Sequence, residues 1–100
     1  MILSVNPATG AELARFEADT PAAFDAALSA AASAQAKWAL VPVSERVELL
    51  RRMARVLRAG KERYGLLITQ EMGKPLPEAE AEVEKSAWNC DFYADAAPRF

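Results

Sequence analysis

The alternation of apolar and polar positions divides the chain into an extended start and four helical stretches. Ile2 to Val5 and Leu13 to Ala18 are short apolar-containing runs. They are joined by Asn6-Pro7-Ala8-Thr9-Gly10, whose asparagine, proline and glycine favour a turn for separate stereochemical reasons. This pattern predicts a β-hairpin over about residues 2 to 18, and such a hairpin is marginal in water unless it lies on helices or joins a larger sheet. Thr20-Pro21 is a capping residue followed by proline at a first helical position, and the alanine-rich run behind it predicts a helix over about 21 to 37. Phe24, Leu28, Ala31 and Trp38 keep helical spacing and read as a core stripe. Leu40-Val41-Pro42-Val43 interrupts the pattern, because proline disfavours helix in the residue before it.

Ser44 is the expected cap of a second helix, about 44 to 59. Val47, Leu49, Leu50, Met53, Ala54, Val56 and Leu57 fill about half its circumference, with Arg51, Arg52, Arg55 and Arg58 opposite, interleaved with Glu45 and Glu48. Gly60 ends or kinks this helix. A third, about 61 to 72, turns Tyr64, Leu67, Ile68 and Met72 inward. Gln70 to Pro75 then forms a sharp corner: Gly73 supplies the left-handed conformation that closes a helix, and Pro75 suits the start of the next. The fourth helix, about 75 to 97, has two faces to bury. At about 100° per residue, Val83, Ala87, Cys90, Ala94 and Ala97 share one narrow face, and Ala81, Lys85, Trp88 and Phe92 gather opposite. A surface helix needs one apolar face, so the second implies further protein or a ligand space beyond it.

Composition adds mainly exclusions. With 52% hydrophobic and 26% charged residues in a chain of 100, the reading is a helix-rich globular segment of one domain at most. A net charge of -2 gives no electrostatic case for nucleic acid or an anionic membrane. No run has transmembrane length and the N-terminus lacks the basic and apolar regions of a signal peptide, so the expected location is cytoplasmic. One cysteine and no histidine exclude an internal disulfide, a Cys/His metal site and a Ser/His dyad.

Four groups of residues could carry chemistry. The four arginines of the second helix invite a phosphate contact, but no aromatic residue among them could stack a base, and a solvated face with i, i+4 partners explains them better. Gly73-Lys74 is no phosphate loop, since the first glycine is missing and no Ser or Thr follows the lysine. Glu78, Glu80, Glu82 and Glu84 spread around the fourth helix rather than converging, which fits charge near a helix start, where the macrodipole favours it. Lys85, Trp88 and Phe92 are different: a cation flanked by aromatic rings suits a small carboxylate-bearing ligand. The plainer alternative is a solvated lysine beside two packing rings.

Glu71-Met72-Gly73-Lys74-Pro75, Ala81 to Ala87 and Cys90-Asp91-Phe92-Tyr93-Ala94, with Asn6 to Gly10 and Arg46 to Leu57, resemble the opening part of NAD(P)-dependent aldehyde dehydrogenases, nearest the succinate-semialdehyde type. The resemblance runs the length of the chain but covers only the first portion of such an enzyme. It implies a mostly α segment, a hairpin then four helices, within the α/β (Rossmann-like) fold of that family, residues 1 to 100 being the start of the cofactor-binding domain. It further implies that Lys85, Trp88 and Asn89 lie on the wall of the substrate tunnel, and that Ser4, Val5 and Glu71 match positions that bind a structural monovalent cation in some members, two of them through main-chain carbonyls; the plainer alternative is ordinary backbone beside a surface glutamate. The reaction implied is attack of a cysteine thiolate on the aldehyde, hydride transfer to NAD or NADP, and hydrolysis of the thioester by activated water. None of the residues for those steps is expected before Phe100. Cys90 lies outside the family's nucleophile motif and, on the small-residue face, reads as a buried structural cysteine.

The expected partners are an aldehyde, the remainder of a dehydrogenase chain and further copies in a homo-oligomer, without nucleic acid or membrane. A stop at Ala96-Ala97-Pro98-Arg99-Phe100, soon after a helix and with no solvating tail, is the expectation for a truncated chain that is inactive alone. A small stand-alone helical module, binding a protein through Lys85, Trp88 and Phe92, is the alternative from another class.

Overall fold

The computed structural model describes residues 1–100 and contains a two-stranded hairpin, β1 (Ile2–Val5) and β2 (Glu12–Phe16), followed by four helices, α1 (Pro21–Trp38), α2 (Val43–Ala59), α3 (Lys61–Met72) and α4 (Leu76–Ala96), and a 3-10 turn at Ala97–Arg99. The strands are antiparallel, pairing Ile2 with Phe16, Leu3 with Arg15 and Ser4 with Ala14, then slipping by a bulge so that Val5 faces Glu12. In the turn the Asn6 side chain accepts from the amides of Ala8 at 2.9 Å and Thr9 at 3.3 Å. Gly10 takes φ +74°, which a side chain would resist.

Helix starts follow local chemistry, with one departure from the sequence reading. Thr20 caps α1, its hydroxyl accepting from the Ala23 amide at 3.2 Å. Ser44, the expected cap of α2, lies inside the helix instead. Pro42 holds the capping position without a side-chain bond, its carbonyl accepting from Glu45 at 3.0 Å and Arg46 at 3.2 Å. Pro42, with φ near -54°, starts the helix through its backbone carbonyl alone and offers no side-chain acceptor to the first-turn amides. Pro75 serves α4 in the same way, its carbonyl accepting from Ala79 at 3.0 Å. Gly73 closes α3 at φ +74°.

The core is thin. It consists of Ala79, Val83, Ala87, Ala94 and Ala96 on the inner face of α4, Val47 and Ala54 of α2, and Gly65 of α3. No side chain larger than valine is buried, and 8 of 100 residues are buried at all. The molecule is accordingly a slab of 47 × 39 × 19 Å with a radius of gyration of 17.6 Å, against about 13 Å for a compact domain of this length. α4 packs on both α2 and α3, β1 touches α3, and α1 makes no substantial contact with any other element. No helix is long and apolar enough to cross a membrane.

Several side chains expected in the core are outside it. Phe24, Leu28 and Ala31 of α1 are exposed and Trp38 is 39% exposed, so the stripe shares a face but has nothing under it. Leu67 and Met72 of α3 also point outward, Met72 at 76% exposure, whereas Tyr64 and Ile68 are half-buried. Periodicity identifies residues that share a side, and these sides find no partner within residues 1–100.

Two glycines set close approaches. A Cβ at Gly65 would stand 2.7 Å from Cγ and 3.2 Å from the backbone nitrogen of Glu80. Gly65→Ala should therefore force α3 and α4 apart and lower stability by about 1 to 2 kcal/mol, despite alanine's better helix propensity, as a lower urea midpoint. Gly73→Ala combines a positive φ with a Cβ 3.1 Å from Pro7, and should cost about 1 to 2 kcal/mol in the same measurement.

Candidate functional site

The outer face of α4 offers a chemically mixed surface. Lys85, Trp88, Asn89, Phe92 and Tyr93 are all exposed, and the i, i+4 spacing of Trp88 and Phe92 places their rings together. The two stack with centroids 5.9 Å apart at 26°. Tyr93 meets Phe92 edge-on, 5.2 Å away at 84°. One turn earlier stands Lys85, which enters none of the ion pairs. Three exposed rings and an unpaired cation on one helix exceed what a solvated face requires, and the combination can receive an anionic group at one end and an apolar chain along the rings.

This face is held in place from behind. Arg58 of α2 donates to Glu84 at 2.8 Å and to Asp91 at 2.7 Å, and Arg51 reaches Asp95 at 2.8 Å as well as Glu48 at 3.3 Å. The expected solvated arginine face, with i, i+4 partners inside α2, is thus corrected for two of its four members: Arg51 and Arg58 fasten α2 to α4. The hydrogen bonds that Arg58 donates to Glu84 and Asp91, and Arg51 to Asp95, hold both guanidinium groups above their ordinary pKa. A raised pKa contributes stability that is lost only as pH climbs past the ordinary arginine value, so neutral conditions leave these clamps intact. Being solvent-accessible, both clamps are screened by water and salt and add little to stability.

The glutamates at the start of α4 have separate tasks. Glu82 pairs with Lys74, Glu84 with Arg58, Glu80 lies over Gly65 and Glu78 sits in the first turn. With Lys74 engaged and Gly73 closing α3 against Pro7, this corner does not fit a nucleotide phosphate. Cys90 is a half-buried free thiol on the side of α4 that carries Val83, Ala87 and Ala94.

Ser4 and Glu71, 67 positions apart, are brought together: the Ser4 hydroxyl donates to Glu71 Oε1 at 2.7 Å. Val5 follows across the bulge. Hydroxyl and carboxylate oxygens converge here, a donor set compatible with a hard cation.

One residue had no functional reading in the sequence. Arg46 lines an apolar groove of about 500 Å³ with Trp38, Val43, Val47, Leu50, Met53 and Phe100, and its Nε is buried without a hydrogen-bond partner. The i, i+4, i+7 spacing of Val43, Val47 and Leu50 was the available signal, but the lack of a partner for Arg46 is visible only in three dimensions.

The family model described as "Aldehyde dehydrogenase family" matches residues 1–100. Among characterised relatives, the chain is 41% identical over 96 residues to a succinate semialdehyde dehydrogenase [NAD(P)+] of Escherichia coli, covering 96% of this chain and 21% of that protein. It is 43% identical over 95 residues to a betaine aldehyde dehydrogenase of Cereibacter sphaeroides, covering 94% and 20%. Among solved structures, succinic semialdehyde dehydrogenase from Streptococcus pyogenes in complex with NADP+ superposes with a TM-score of 0.91 at 31% identity, over 97% of this chain and 22% of that one. The chain therefore spans about a fifth of the length of the relatives it matches.

The Ser4–Glu71 bond is the one side-chain hydrogen bond between the hairpin and α3. Glu71→Ala should raise amide exchange across Leu3 to Val5 about tenfold, the equivalent of about 1.4 kcal/mol, while amides of α4 keep their protection. Hydrogen-exchange mass spectrometry reads both segments together.

Proposed function

Because the chain belongs to the aldehyde dehydrogenase family, we propose that it is the N-terminal part of an NAD(P)-dependent enzyme that oxidises succinate semialdehyde to succinate. The observation that carries this reading is the outer face of α4, where an unpaired Lys85 stands one turn from the stacked Trp88 and Phe92. In the whole enzyme these residues, with Asn89, form part of the wall of the substrate passage. The Lys85 ammonium attracts the carboxylate that succinate semialdehyde carries at the end remote from its aldehyde. The rings cover the intervening methylene groups and exclude water from them. Residues 1 to 100 open the cofactor-binding domain without touching the nicotinamide nucleotide, which supplies the hydride acceptor when bound elsewhere. Ser4, Val5 and Glu71 hold a monovalent cation that ties the hairpin to α3.

No nucleophile or general base is assigned within these residues, so the 100-residue chain alone oxidises no aldehyde. A cytoplasmic homo-oligomer is part of the same reading, supported by apolar faces on α1, α2 and α3 that further protein would cover.

The test is steady-state kinetics of the product of the native gene. Lys85→Ala should raise KM for succinate semialdehyde about tenfold, about 1.4 kcal/mol, with kcat changed less than about twofold; an unchanged KM removes Lys85 from the passage. A second reading has its own support in the betaine aldehyde relative and in the three clustered rings, since aromatic faces also receive a quaternary ammonium. The sign of the effect separates the two. For a cationic substrate, removing Lys85 relieves repulsion and lowers KM.

A further inference from the structure

We infer that the trench beside Trp38 is the seat of a later segment of the same polypeptide, one that lays apolar side chains along α2 and presents an aspartate or glutamate carboxylate to Arg46. This rests on the reading of the chain as part of a longer dehydrogenase and adds a specific contact to it.

Trp38 is shared by two adjoining hollows. One, of about 500 Å³, is floored by Val43, Val47, Leu50 and Met53 of α2 and closed by Phe100. The other, of about 580 Å³, lies against Ala31, Ala34, Gln35 and Lys37 of α1 and Val41 just beyond its end. The first is apolar apart from Arg46; the second adds Gln35 and Lys37 to an apolar lining and follows α1, the helix that makes no substantial contact within residues 1–100. An occupant spanning both would fix α1 to α2 through Trp38.

Arg46 defines the chemistry of that occupant. Arg51 and Arg58, on the same helix, each find carboxylates on α4, whereas Arg46 enters no ion pair and keeps a buried, unpartnered Nε. Buried polar groups in native proteins are nearly always satisfied. Covering this guanidinium with apolar side chains alone would desolvate a charge without compensation, so the cover must bring an anion with it. A segment of the same polypeptide does so at high effective concentration, and relatives five times the length of this chain contain ample further sequence.

The experiment uses the full product of the native gene with p-benzoylphenylalanine in place of Met53, which is half exposed at the trench. Irradiation should yield an intrachain cross-link to a peptide beyond residue 100 containing an Asp or Glu. Arg46→Met in the same protein should raise amide exchange in α1 at least about tenfold and Arg46→Lys distinctly less, because the ammonium keeps the charge but not the fork of donors. A cross-link to residues 1–100, to a second copy or to another protein overturns the inference, as does unchanged α1 exchange in Arg46→Met. A cross-linked segment whose acidic residues can all be replaced without loosening α1 reduces the contact to an apolar one and overturns the carboxylate assignment. A gene product of 10.9 kDa would sink the dehydrogenase reading itself. A longer, aldehyde-oxidising product with its cross-link elsewhere would sink only the trench.

Discussion

The packing of small residues on the inner face of α4 is the constraint from which the rest of the structure follows. Ala79, Ala87 and Ala94 are essentially without solvent contact, and Gly65 lets the backbone of α3 come against Glu80. Helices that approach through alanine and glycine leave no room for large side chains between them, so Leu49 and Met53 of α2, Leu66, Leu67 and Met72 of α3, and Trp88, Phe92 and Tyr93 of α4 are turned outward. A thin core buries little apolar area, and hydrophobic stabilisation scales with that area. The consequence is a slab whose stability as an isolated unit is limited and whose outer sides remain available to other matter. Arg51 and Arg58 complement this packing by fixing the register of α2 along α4, a role suited to guanidinium groups that reach two carboxylates each.

Local features were the most legible part of this fold in the sequence. Thr20 as a cap, Gly73 as a left-handed helix end, the turn at Asn6 to Gly10 and the two-faced character of α4 all rest on interactions within a few residues of each other, and residue type alone identifies them. Side-chain destinations across elements were less accessible. The arginines of α2 formed an obvious row, but whether they met water, phosphate or the acids of α4 depended on a helix that begins 17 residues after α2 ends. Phe24, Leu28, Leu67 and Met72 were assigned inward because periodicity reports only a shared side. Ser44 was a sound capping candidate, but the helix begins before it, behind Pro42 and without a side-chain cap. Of the candidate site residues, Ser4 and Glu71 meet in a hydrogen bond that their separation in sequence hid, and Lys85, Trp88 and Asn89 stand exposed on one helix.

The two outward surfaces differ in kind, and that difference bears on their roles. The trench along α2 is aliphatic apart from Trp38 and Phe100, holds a single cation with a dry nitrogen, and adjoins a helix that needs anchoring. Such a surface gains most from permanent cover, because every covered side chain adds apolar burial and the one charge can be matched by one acid. The outer face of α4 has rings at fixed mutual angles and a lysine with no partner. Permanent cover there would desolvate an ammonium for little gain in aliphatic packing. A helix can leave its outer face uncovered only if its inner face is already satisfied by close small-residue packing. α4 meets that condition, which is why a helix with so little bulk in its core face can carry so much aromatic surface on the other.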